Sequence, residues 1–163
     1  MRKSLLALAL VALLPACNNN DNSSDTGTTP SNPSSQPTPT PTVATVAVTV
    51  NPVFVPAVAT ADPNFPWTIA WQTTVRESAG ISATVTAIDV TIADRVTTYS
   101  GAALAAASTT GSPNLASKGS LTFNQAVSYD LADGGRLAVV SIVVWLKDAK
   151  GNTISQVAQL RII

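Results

Sequence analysis

Apolar and polar residues alternate with a period of two along much of the chain after Thr45. Val46, Val48 and Val50 alternate with Thr45, Ala47 and Thr49, while Phe65, Trp67, Ile69, Trp71, Thr73 and Val75 alternate with Thr68, Gln72, Thr74 and Arg76. Successive side chains of a strand point to opposite faces, so both runs predict half-buried strands. Between Ile81 and Ile92 the phase changes: Ile81, Ala83 and Val85 share one parity, Ile88, Val90 and Ile92 the other. One extra residue near Thr86 or Ala87 restores a single apolar face, which predicts a β-bulge there. The short Glu77-Ser78-Ala79-Gly80 segment predicts a hairpin between the two strands it joins.

Downstream, Gly119–Phe123 and Ala126–Tyr129 predict a broken strand. Leu137–Leu146 is almost continuously apolar, and valine and isoleucine fill half of it. β-branching favours a central strand covered on both faces, with Trp145 in the core. Asp148-Ala149-Lys150-Gly151-Asn152 predicts a turn, and Thr153–Ile163 a last strand, so these elements form a second hairpin. Pro52 and Pro56 assign the first strand to an edge or a bulge. Val96–Thr110 stays open between a short helix, favoured by the Ala102–Ala107 run, and an irregular crossover. About seven strands and no long helix predict an all-β fold over residues 43–163, an antiparallel β-sandwich with Greek-key connections.

The segments before residue 43 have another character. Arg2 and Lys3 precede ten apolar residues, Leu5–Leu14. A helix of that length spans about 15 Å, roughly half of a ~30 Å hydrocarbon core, so residues 1–16 read as an export signal. Asn18 to Thr42 contains only Asn, Asp, Ser, Thr, Gly, Gln and Pro, with five prolines after Thr29. No side chain there can build a core, and the prolines favour an extended polyproline II course. Residues 17–42 therefore read as a disordered tether, a passive spacer in preference to a Pro-rich ligand or a glycosylated stalk.

Leu14-Pro15-Ala16-Cys17 resembles the lipobox of bacterial lipoproteins. The resemblance implies that Cys17 carries a thioether-linked diacylglycerol and becomes the new N-terminus. Two or three acyl chains make such attachment effectively permanent, at about 0.8 kcal/mol per buried methylene. Asn18 in place of aspartate implies the outer membrane in a Gram-negative host; otherwise the anchor lies on the outer face of the plasma membrane. Residues 43–163 resemble the immunoglobulin-like modules of bacterial surface lipoproteins at the level of pattern. Within them Asp133-Gly134-Gly135-Arg136-Leu137-Ala138-Val139 is similar to the Asp-x-Gly-x-Tyr-x-Cys stretch of immunoglobulin domains. Leu137 and Val139 replace its tyrosine and cysteine.

Composition narrows the chemistry. The 163 residues hold nine basic and nine acidic side chains, no histidine and one cysteine. An intrachain disulfide, a Cys and His zinc site and a Ser-His or Cys-His couple are all excluded. Neutrality argues against nucleic acid as a partner. No cofactor and no metal site is expected, since Asp89, Asp94, Asp130 and Asp133 read as turn formers and Glu77, the only glutamate, falls in the predicted hairpin turn. An enzyme would require a deep polar pocket lined by Asp130, Asp133 or Glu77. Phe65, Trp67 and Trp71 share one face of one strand and offer a candidate carbohydrate-stacking row, while Ile69 and Val75 continue that face as core.

The expectation is a non-enzymatic, lipid-anchored cell-envelope protein that presents an immunoglobulin-like domain for adhesion, scaffolding or docking. Its partners would be the membrane, through the lipid, and an envelope protein or a glycan. Radiolabelled palmitate is expected to enter the wild-type chain and not Cys17→Ser; label retained by the variant would refute the lipobox reading.

Overall fold

The computed structural model describes residues 38–163. The expected signal peptide, Cys17 and the tether as far as Pro37 lie outside the described residues. Ten strands form, β1 (Val46–Asn51), β2 (Phe54–Val55), β3 (Val58–Ala59), β4 (Trp67–Glu77), β5 (Ala83–Ile92), β6 (Arg95–Ser100), β7 (Asn114–Leu115), β8 (Ser120–Tyr129), β9 (Val139–Asp148) and β10 (Thr153–Ile162). Among the described residues one α-helix, α1 (Gly101–Ala107), follows β6. The described residues are all-β, as the period of two predicts. Ten strands replace the expected seven because β2, β3 and β7 have only two residues each. Pro52 and Pro56 punctuate β1, β2 and β3, since proline has no N–H to give a ladder.

In the first sheet β4 is central. β1 and β3 pair with successive stretches of one edge and β8 runs along the other, all antiparallel. The second sheet has the order β2-β10-β9-β5-β6, with β7 beside the start of β5. Only β2 and β10 are parallel in it. Ile69, Trp71, Val75, Phe123 and Val127 of the first sheet join Val85, Ile88, Val90, Ile142 and Val144 of the second in one buried cluster. The bulge falls at Thr86, where the register of β5 on β9 slips between Val85 and Ala87. The broken strand expected over 119–129 is instead continuous, pairing with β4 from Ser120 to Tyr129.

The predicted hairpin at Glu77–Gly80 does not form. β4 lies in the first sheet and β5 in the second, so this connection crosses between them. The physical reason is Glu77, which is 1% exposed and terminates β4 on its inward face. Its carboxylate accepts the backbone N–H groups of Ala79 (2.7 Å), Gly80 (2.9 Å) and Lys118 (2.7 Å). Burial pushes this carboxyl upward, but backbone donors from Lys118, Gly80, Ala79 and Ile81 outweigh it and hold it below its ordinary value. The turn is thus wound around an ion instead of closing a ladder.

The β9–β10 hairpin does form, and β9 is central between β10 and β5. Among the described residues only one of its faces is covered. Val140, Ile142, Val144 and Leu146 are buried, while Val139 and Trp145 point outward and are exposed. Trp145, expected in the core, is 38% exposed. A continuous apolar run is uninformative about its second face, because period-two geometry sends half of it outward whatever covers it. The open segment 96–110 resolves into β6 and α1, with Leu104 buried. Tyr99 of β6 donates to the Ala126 carbonyl of β8 (2.6 Å), which links the edges of the two sheets.

A second carboxylate works like Glu77. Asp148 at the end of β9 is buried and accepts from Asn152 Nδ2 (2.9 Å) and from the backbone N–H groups of Ala44 (3.1 Å), Lys150 (2.9 Å) and Asn152 (2.9 Å). The Asn152 side chain lowers its pKa first, burial opposes, and the backbone donors complete the fall from 3.8 to about 2. Both carboxyls titrate below their ordinary values, so their stabilisation is complete above the ordinary range and is lost as pH falls. Calorimetry is expected to show Tm dropping between about pH 4 and pH 2 in the wild type. Asp148→Asn should start from a lower Tm at neutral pH and fall less steeply across that window. Glu77→Ala, which strands several N–H donors, is expected to cost at least about 2 kcal/mol in denaturant unfolding.

Candidate functional site

The sandwiched sheets have two ends that differ in chemistry. At one, which we term proximal, the chain arrives from Thr42: Asn152 Nδ2 donates to the Thr42 carbonyl (3.1 Å) and Ala44 N–H to Asp148 (3.1 Å). Glu77, Asp148 and the start of β5 lie at this end, as the pairing of Val46 with Glu77 and of Ala83 with Asp148 requires. A cavity of about 330 Å³ there is lined by Ser82, Thr84, Asn114, Lys147 and Asp148, among others. The lining carboxylate is already saturated by its own turn.

The opposite, distal end gathers exposed apolar side chains. Phe54 (56% exposed) stands opposite Arg161, and Arg161 opposite Val139. With Val53, Gln159 and Leu160 they line a cavity of about 200 Å³. Leu137, next to them in the chain, is 66% exposed. Glu77, Asp130 and Asp133 line neither of the two cavities.

A short loop, Ala132–Gly135, fixes this end. Tyr129, the last residue of β8, donates its buried hydroxyl to the Gly134 carbonyl (2.6 Å). Burial pushes the Tyr129 phenol above its ordinary pKa, so it remains the protonated donor. Gly134 has φ +68° and lies so close to the chain beneath that a Cβ would stand 3.2 Å from Ala57 Cβ and 3.3 Å from the Trp67 ring. Leu137 N–H then donates to the Ile162 carbonyl (2.8 Å) and Ala138 N–H to Gly135 (2.8 Å). Asp133 (φ 54°) and Leu137 (φ 68°) both occupy the left-handed region, which costs a non-glycine residue of the order of 1 kcal/mol. Strain at an exposed apolar residue marks a position that the surroundings over-determine.

The aromatic row expected on β4 is not an exposed surface. Trp71 is 3% exposed, and its indole Nε1 donates to Thr73 Oγ1 (3.1 Å) inside the core. Trp67 is half-buried beneath the Gly134 loop. Phe65, outside the strand, lies half-buried with the Arg95 guanidinium 4.3 Å above its ring centroid. These three therefore do not offer one stacking face, because the face they share with Ile69 and Val75 is the one that closes on the second sheet. Asp89 lies within β5 and forms no turn: it accepts from Thr98 and Trp145 across its neighbouring strands. Sequence reasoning also passed over Leu137 and Phe54 as surface features. Gly134-Gly135 was the available signal for Leu137, since a glycine pair before an apolar residue announces a sharp bend.

Tyr129→Phe is expected to lower stability by about 1 kcal/mol. Amide exchange at Gly135–Leu137 should accelerate in that variant while the β8 amides facing β4 keep their protection.

No protein-family model matches the chain, and no curated protein sequence matches it. Among solved structures it is similar to the structural-genomics target SoR45, with 10% identity, a TM-score of 0.49 and coverage of 72% of this chain and 86% of that one. It is also similar to a chain described as an ApaA protein from Bordetella pertussis, at 13% identity and a TM-score of 0.48, covering 73% of this chain and 94% of that one. A third likeness is to Spo0M, a sporulation control protein from Bacillus subtilis, at 11% identity and a TM-score of 0.38, covering 73% of this chain and 49% of that one.

Proposed function

We propose that this chain is a non-enzymatic, lipid-anchored protein of the bacterial cell envelope, whose immunoglobulin-like sandwich docks to a protein partner through its distal end. The observation that carries the reading is the polarity of the domain: the chain arrives at one end, and exposed apolar side chains on a braced loop gather at the other. An anchor at Cys17 would leave the distal end presented. Phe54, Leu137 and Val139 beside Arg161 make an apolar surface with one guanidinium, and aromatic side chains and arginine are enriched in protein interfaces. Bracing by Tyr129 lowers the ordering cost on binding.

Seven strands of six residues or more, distributed over two sheets, support the immunoglobulin-like arrangement. The Tyr129 hydroxyl supports it as well, by tying a corner loop as a tyrosine corner does, though from the preceding strand. Outer-membrane residence in a Gram-negative host follows from Asn18 on the lipoprotein reading.

A photo-crosslinking phenylalanine analogue placed at Leu137 or at Phe54 in intact cells is expected to give a discrete adduct with an envelope protein. The same analogue at Lys150, on the proximal turn, should give none. Adducts from Lys150 as strong as those from Leu137 would remove the distal end from the proposal.

A further inference from the structure

Trp145 stands on the outer face of β9, and its two cross-strand neighbours are small: Ala87 on β5 and Ser155 on β10. At 38% exposure the indole is open to solvent, yet it is held from two sides. Its Nε1 donates to Asp89 Oδ2 (2.8 Å), while Thr98 donates its hydroxyl to Asp89 Oδ1 (2.6 Å). The Thr86 hydroxyl donates to the Trp145 carbonyl (3.2 Å).

The bulge at Thr86 creates this arrangement. Past it, Ala87 pairs with Trp145 and Asp89 with Val143; without the slip, Asp89 would face Ile142 on the core side. Bulges commonly re-aim a side chain in this way. The device places a carboxylate beside an indole on an open sheet face, where neither contributes to the core.

We propose that Trp145 and Asp89 form a saccharide-binding platform on the outer face of the second sheet. A pyranose has an apolar C–H face and a rim of hydroxyls, so it is matched by a fixed aromatic plane next to polar acceptors. The indole supplies the plane. An ionised carboxylate offers about four lone-pair sites, and Asp89 spends two on its own neighbours, which leaves acceptor capacity at the indole edge. The strand row through Trp145 carries Ser100, Ala87 and Ser155, neutral and hydroxyl-bearing or small. A dry protein contact would desolvate the remaining Asp89 lone pairs, whereas a sugar hydroxyl fills them. The platform belongs to the domain itself and does not depend on lipid at Cys17 or on the distal end.

The full chain, purified in detergent, is to be titrated calorimetrically with chitohexaose, cellohexaose and xylohexaose in turn. Saturable heat is expected from at least one of them. Trp145→Ala should weaken that binding at least about tenfold, equivalent to about 1.4 kcal/mol, and Asp89→Asn by a smaller factor. Ser155→Glu, an exposed change beside the indole that leaves the core alone, should weaken it comparably and covers the case in which Trp145→Ala does not fold. Heat from none of the three sugars, or binding unchanged in both Trp145→Ala and Ser155→Glu, overturns the proposal. So does self-association in sedimentation velocity that Trp145→Ala abolishes while the sugars stay silent, which would assign the face to a second copy.

Discussion

Glu77 carries its charge into the seam between the two sheets, and a charge taken out of water has to be met by donors. Among the described residues no basic side chain meets it; backbone N–H groups from two separate segments do. The carboxylate therefore fixes the turn that follows β4 and the loop that precedes β8 in one step. Since β4 is the central strand of its sheet and β5 carries three neighbours in the other, the relation of the two layers hangs on this passage. Asp148 repeats the solution at the end of β9, where it also holds the incoming chain at Ala44. A small acidic inventory thus does structural work at the proximal end, where two carboxylates turn inward to amides rather than outward to solvent.

What was legible in the sequence was the local period. The alternation from Trp67 to Val75 marks a strand with one buried face, and the phase break at Ile81–Ile92 locates a bulge to within a residue. Both are properties of a strand alone. Three readings failed where the answer depended on a distant segment. Four residues between two strands suit a hairpin, but Glu77 also meets Lys118 from far along the chain, and no local pattern announces that. Leu137–Leu146 is apolar on both parities, yet nothing packs over the outer one, because no helix or third layer exists among the described residues to cover it. Trp67 and Trp71 sit in the alternation that defines the core, while Trp145 lies in a run where parity carries no contrast. The candidate platform was invisible for the same reason: it needs the bulge on β5, the register of β9 and Thr98 on β6 at once.

The core also holds a polar element that hydrophobic patterning could not anticipate. Trp71 donates to Thr73, and Thr73 to Gln125 on β8, so an indole, a hydroxyl and an amide are chained across two strands on the inner face of the first sheet. Gln125 Nε2 has no partner in this network. A buried polar chain of this kind is costly unless satisfied, and it fixes the register of β4 on β8 more tightly than apolar contacts, which tolerate sliding.

The way β1 is held has a mechanical consequence. It enters beside Asp148 and runs toward the distal end, pairing with β4 over six residues, Val46 to Asn51. For a domain held by its N-terminal side and gripped at the far end, tension runs along the axis of β1. Ladder hydrogen bonds are perpendicular to their strands, so such a pull loads the pairs together in shear instead of opening them one after another. The same chain pulled sideways would unzip from Val46 onward. The resistance of the domain to force is therefore directional, greatest along the line from Val46 to Asn51.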